Sequence, residues 1–375
     1  MTRELCHPRQ VRNSPGAADG AALPVVYLHR PLNVALVFGS FVAVTLPLVA
    51  FGWGFSGVGR VDVDALMRTP PAQVYLVLFG LSHFFLTFTV YLHRDNRAYF
   101  ASTPRRRTVF YIVPSAILIG VALYTGLGLT QRLVGLTMVL FVAIRAFDFF
   151  HLNRQSFGVL QLFKGRSGRR LAPWVRKAEN AYFVALAILL LVTFLQPGMR
   201  FAATPPSLIL LALIALCGLA ILTGYARAWK GGASGRDLSL ALGYWAAQTA
   251  SVALAVVWIG FYAFSLAMHY VEYHVLMGAR WSQTRLASDA IPDRLFASVR
   301  ARPVLLYTIL FGLGTLYLAL GEAGLEPRPQ PLNLLVHVFD GLFLFHYFVE
   351  MYLWKFREPY LRDSLGPLYF PRAAT

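Results

Sequence analysis

Charge is scarce in this chain. Only 14% of its 375 residues are Asp, Glu, Lys or Arg, against roughly a quarter in soluble globular proteins. With 57% hydrophobic residues and a mean hydropathy of +0.56, that shortage excludes an ordinary water-soluble domain. Cysteine is scarcer still, with two residues. Cys6 lies in the polar N-terminal stretch and Cys217 in an apolar run, so neither a disulfide framework nor a thiolate-based metal or iron–sulfur site is available. Acidic residues are half as many as basic ones, 17 against 34, for a formal charge of +17. The basic residues sit between the apolar runs, the positive-inside distribution of membrane proteins. Nucleic acid is therefore not expected as a partner, and membrane lipids are. The segment GRSGRR lacks the lysine–serine/threonine ending of a phosphate loop, so it reads as a surface for lipid heads. The N-terminus has no apolar core directly behind its charges and does not read as a secretory signal.

What the chain has in quantity is long apolar runs. They predict an all-α fold: a polytopic integral membrane bundle of about ten transmembrane helices with N- and C-termini cytoplasmic. Residues 1–30 are expected to be a disordered cytoplasmic tail, 31–356 the transmembrane bundle and 357–375 a cytoplasmic C-terminal tail. Spans are expected near 32–55, 73–93, 108–129, 133–152, 181–196, 207–229, 304–321 and 333–354. The remaining apolar segment, 238–276, would be roughly 58 Å long as one straight helix, nearly twice the hydrocarbon thickness. Two crossings with a tight turn near Trp258 to Gly260 keep every basic loop on the inner side. Arginine dominates the basic residues, which points to a GC-rich bacterial genome and hence a bacterial cytoplasmic (inner) membrane.

Ionisable groups inside spans are costly and usually retained for a task. The last span, NLLVHVFDGLFLFHYFVEMYLW, carries His337, Asp340, His346 and Glu350. His337 and Asp340 are three apart, and His346 and Glu350 four apart, so each pair shares a helix face. The expected fourth span holds Arg145, Asp148 and His151 as one stripe near its inner end. The eighth ends in HYVEYH, with His269, Glu272 and His274. The second carries His83 at mid-span and His93 at its inner end. Four spans thus deliver His, three of them with a carboxylate one turn away.

Neutral imidazole with carboxylate suits iron, manganese or zinc, and helical bundles build such sites from inward-facing Glu and His on facing helices. His151, His269 and His346 are the favoured ligands, with His274, His93 and His83 as second choices. Glu272, Glu350 and Asp148 are ligands, or groups that orient ligands by holding the other ring nitrogen. A single interfacial His is most often a snorkelling group, and Arg145 with Asp148 reads equally well as a structural ion pair. His29, outside the spans, is not a candidate.

HYVEYH, two His separated by four residues at the end of a membrane helix, resembles one box of the membrane fatty-acid desaturase and hydroxylase family. The chain has no adjacent His pair, which those enzymes also carry. One His from each of several spans is similar in style to the bacterial carotene-cleaving dioxygenases, multi-pass proteins that hold one iron with several His. Together these readings point to a membrane-embedded metalloenzyme, a non-haem iron oxidoreductase of hydroxylase, desaturase or dioxygenase type. Zinc, manganese or haem are the alternative cofactors. Its substrate would be an apolar lipid, isoprenoid or quinone, with a redox partner where the chemistry needs one. A proton-coupled transporter using the same His, Asp and Glu is the alternative function, and a haem-binding electron carrier the third.

Overall fold

The structure is a computed structural model, and it describes residues 27–40, 42, 70–92, 94–165, 171–283, 303–322, 337–338, 341–356 and 358–369. Among these residues the architecture is all-α, and the only strand-like feature is an isolated bridge between Arg200 and Trp258. In chain order the helices are α1 (Pro31–Ser40), α2 (Gln73–Leu92), α3 (Arg94–Ala101), α4 (Pro104–Gly126), α5 (Val134–Phe163) and α6 (Pro173–Phe194). There follow α7 (Pro205–Lys230), α8 (Gly235–Val257), α9 (Tyr262–Gln283), α10 (Pro303–Glu322), α11 (Leu342–Leu353) and α12 (Pro359–Tyr369). Six of them, α2 and α4 to α8, are long and apolar enough to cross a membrane.

Local chemistry sets the helix ends. α6 and α7 each open with proline in the first turn after an extended residue, Ala172 and Thr204 respectively, because proline has no N–H to leave unpaired there. Ser234 caps α8 by accepting the backbone N–H of Asp237 at 3.3 Å. The apolar segment 238–276 breaks where the turn is expected. α8 ends at Val257, Trp258 is extended (φ −154°), and α9 begins at Tyr262. Ser265 bonds Ser251 at 3.2 Å and Gln248 bonds Glu272 at 2.6 Å, so the pairing runs backwards and the two helices form an antiparallel hairpin.

One expected boundary changes, and two stretches assigned to the tails carry helical structure. The fourth apolar helix does not end near Leu152: α5 continues to Phe163, because NRQSFGVLQLF keeps an apolar face whose Phe157, Leu160 and Phe163 are buried. At 30 residues it is about 45 Å long, and His151 falls near its middle instead of its end. Tyr27–His29, within the stretch expected as the N-terminal tail, forms a 3-10 turn. His29 is buried, its Nε2 3.0 Å from the Phe163 carbonyl and 3.7 Å from Asp237, since the end of α5 offers it an unpaired carbonyl. Residues 359–369, expected in a C-terminal tail, form the docked helix α12. It buries Leu361, Leu365 and Tyr369, and the Tyr369 hydroxyl donates to the Leu276 carbonyl at 2.6 Å. The start of the expected last span, 333–336, and residues 339–340 with Asp340 lie outside the described residues.

Among the described residues the buried side chains form two clusters. The larger unites the C-terminal half of α5 with α6, α7, α8 and α12; the smaller unites α2, α3, α4, α10 and α11. α9 serves both: Met268, Val271, Val275 and Leu276 face the first, and Tyr273 and Met277 face the second. At two glycines a neighbouring helix comes too close to admit a Cβ freely, the kind of contact small residues permit between helices. A Cβ on Gly224 of α7 would sit 2.3 Å from Val175 of α6, and one on Gly341 would lie 3.2 Å from the Leu118 backbone of α4. At the end of α5, Glu179 of α6 pairs with Lys164 and also accepts from Gln161 at 2.9 Å and from Tyr225 of α7 at 3.0 Å. Burial lowers the pKa of Lys164, against the pull of Glu179. The network satisfies a carboxylate that would be costly alone.

Candidate metal centre

Where the two clusters meet, four helices each contribute one His. His83 comes from α2, His151 from α5, His269 from α9 and His346 from α11, and one ligand atom from each lies within 4.8 Å of all the others. The rings close a circuit: His83 to His346 with centroids 4.2 Å apart, His346 to His151 5.1 Å, His151 to His269 5.1 Å, and His269 to His83 4.8 Å. His83, His269 and His346 are buried and His151 is nearly so, its side chain 10% exposed.

Each helix presents its His for a local reason. In α2 a π-helical segment, Leu76–Leu81, immediately precedes Ser82 and His83. Such a turn inserts a residue into the helical register and re-aims the side chains beyond it, and it occurs often at functional sites. Gly80 within it leaves room for the Tyr270 ring of α9, which a Cβ would approach to 3.2 Å. On α5 Asp148 and His151 turn inward, while the Arg145 side chain stays partly exposed. Asp148 accepts from Tyr347 of α11 at 2.6 Å, and the Tyr347 ring lies 4.4 Å from that of His151. Arg145 reaches the same carboxylate at 3.4 Å. On α11, Thr87 of α2 holds His346 Nδ1 at 2.6 Å, and the same hydroxyl is 2.8 Å from Tyr273 of α9. With Nδ1 engaged, His346 turns Nε2 toward the centre, where His83 Nε2 lies 2.7 Å away.

Three buried ring nitrogens at this seam, His83 Nδ1, His151 Nε2 and His269 Nδ1, have no hydrogen-bond partner among the described residues. Buried polar atoms are seldom left unpaired unless something else engages them. Four neutral imidazoles without a satisfying donor and acceptor for each ring are a poor structural core and a good ligand set. Bonds of about 2.1 Å to one ion place neighbouring nitrogens roughly 3.0–3.4 Å apart, so a cluster of this size needs only small adjustments to close on an ion.

The remaining sequence candidates have other places. Glu350 lies beside the ring, its Oε2 3.4 Å from His151 Nε2 and 3.7 Å from His346 Nε2, while Trp354 donates to its Oε1 at 3.0 Å. Glu272 is one turn from His269 but lies outside the four-His group. It accepts from Gln248 at 2.6 Å and from Gln155 at 3.4 Å, and Gln155 also bonds the His269 carbonyl at 3.2 Å. It therefore ties α5, α8 and α9 together. His274 is also outside the group: Tyr307 engages its Nδ1 at 2.8 Å, and its Nε2 is 3.1 Å from Ser82 and 3.2 Å from the Phe79 carbonyl. HYVEYH thus splits, with its first His at the seam and its last in a helix-packing bond. Asp148 is one residue removed, acting on His151 through Tyr347. His337 is not in the four-His group, and His93 lies outside the described residues. Sequence reasoning passed over Thr87, Tyr273, Tyr347, Gln155 and Gln248. Only Thr87 had a visible signal, one turn after His83 on the same helix face.

Compared with known proteins, the chain matches no protein-family model, no curated protein and no solved structure. What fold and site define is a class: an all-α protein with helices fit to cross a membrane and a buried four-His group that can hold a metal ion.

Proposed function

We propose that this chain is a multi-pass membrane metalloenzyme, a non-haem iron oxidoreductase acting on an apolar lipid, isoprenoid or quinone with dioxygen as oxidant. About ten spans with both termini cytoplasmic, in a bacterial cytoplasmic membrane, complete the reading. The observation that carries it is the closed circuit of four imidazoles at the seam of two helix clusters, three of them with an unpartnered buried nitrogen. His83, His151, His269 and His346 hold the ion. Thr87 keeps His346 in the form that offers Nε2. Tyr347, anchored on Asp148, supports the His151 ring, and Gln155 tethers the backbone of His269. A bound ion with open positions supplies Lewis acidity and, for iron, one-electron chemistry. The surrounding Phe84, Tyr270 and Tyr273 rings exclude water and favour an apolar substrate.

The direct contact between the His83 and His346 rings favours a single ion over haem, whose macrocycle would have to lie between axial imidazoles. The test is elemental analysis with an absorption spectrum on protein purified in mild detergent after growth with iron, zinc and manganese. The reading requires close to one metal per chain and no Soret band. Absence of stoichiometric metal would overturn it and leave the proton-coupled carrier as the better account.

A further inference from the structure

Glu350 is more than a neighbour of the four-His group. His346 Nδ1 is occupied by Thr87, so Nε2 is the nitrogen that His346 can offer an ion. Around that atom the donors are arrayed in sequence: His83 Nε2 at 2.7 Å, Glu350 Oε2 at 3.7 Å, and then His151 Nε2 3.4 Å from the same Oε2. Ligands at about 2.1 Å from one centre are roughly 3.0 Å apart at 90° and roughly 3.6 Å apart at 120°. The carboxylate oxygen therefore stands at ligand–ligand spacing from two of the imidazoles. Its orientation is held from behind, because the Trp354 indole donates to Oε1 and leaves Oε2 turned to the ring. The group is buried, and through Oε2 it faces both His151 and His346.

We propose that Glu350 is a fifth ligand, binding through Oε2, so that the centre is a four-His, one-carboxylate site. This rests on the metal-centre reading above and extends it to coordination number and metal class. Closed zinc sites are almost always four-coordinate, whereas iron(II) and manganese(II) accept mixed imidazole and carboxylate sets of five or six. The site is thus built for iron(II) or manganese(II) in preference to zinc. A carboxylate ligand also offsets one of the ion's two positive charges within the apolar bundle, which four neutral imidazoles do not.

The test uses full-length protein in detergent, stripped of metal and titrated separately with manganese(II) and zinc. In Glu350→Ala, manganese affinity falls by about tenfold or more, zinc affinity falls distinctly less, and added acetate restores manganese binding by filling the vacated position. Glu350→Gln, which keeps the bond to Trp354 and the side-chain volume, gives the same selective loss and guards against a folding defect in the alanine variant. Equal losses for both metals without acetate rescue would overturn the proposal and leave Glu350 as a group that orients His151. Wild-type protein that binds neither metal would overturn the four-His reading itself.

Discussion

Single side chains decide whether the four rings can act together. His346 depends on Thr87, whose hydroxyl is the partner of its Nδ1. Loss of a group that orients a metal ligand commonly costs ten- to a hundredfold in metal affinity. Thr87→Val is therefore expected to weaken metal binding by about that factor, while Thr87→Ser retains most of it, measured by metal titration. His83, His151, His269 and His346 changed singly to Ala should each lose most of the bound metal, read as metal per purified chain. His274→Ala and His29→Ala should keep it, since His274 lies in a packing bond with Tyr307 and His29 lies at the far end of α5. Metal loss in His274→Ala equal to that in His269→Ala would contradict the placement of the site. Glu272 separates the two roles a carboxylate can take. Glu272→Ala takes an acceptor from Gln248 and Gln155, leaving them the Tyr244 hydroxyl and the His269 carbonyl respectively, at about 1 kcal/mol for each lost bond. It should lower thermal stability while leaving part of the metal bound.

At the scale of elements, the site depends on close approach between helices that are distant in sequence. α11 brings His346 and Glu350 to the seam only because Gly341 lets its first turn meet the α4 backbone. Gly341→Val would force the Leu118 backbone and Val121 side chain to shift, at a cost of about 1–3 kcal/mol typical of overpacking. The expected outcome is a lower melting temperature with weakened metal binding, because α11 and its two site residues move together. The π-helical segment of α2 and the antiparallel α8–α9 hairpin act in the same way on His83 and His269. One re-aims a ring by a register change, and the other returns a polar helix against α5, where Gln155 and Gln248 meet Glu272.

Among the described residues the molecule is two helix clusters sharing α9, with the His ring at their junction. The topology proposed for it can be read by labelling single cysteines in intact cells. Gly260, at the turn between α8 and α9, and positions 327–331 should label from outside. Lys230, at the end of α7, and position 288 should label only after the membrane is opened. Positions 288 and 327–331 lie outside the described residues, so this experiment tests the topology independently of the fold. External labelling at 288 would refute the two-crossing reading of 238–276.

Composition and the length of the apolar runs were enough to determine the all-α class, because long uncharged runs have no other way to satisfy their backbone in an apolar setting. They also located the α8–α9 turn, where length alone forbade one straight helix. The rule that a His with a carboxylate one turn away marks a site ranked His151, His269 and His346 first, because i, i+3 and i, i+4 spacing is visible along one helix. The same rule undervalued His83, whose orienting groups come from other helices, and it drew attention to Glu272, whose partners are Gln248 and Gln155. Spacing within a helix gives the angle between two side chains and says nothing about which neighbouring helix each will face. The end of α5, the docking of α12, the splitting of HYVEYH between ring and packing bond, and the meeting of four His from four helices were decided only when the helices packed. Those contacts join residues far apart in the chain, such as His83 and His346 with 263 positions between their numbers, and no local pattern encodes a distance of that kind.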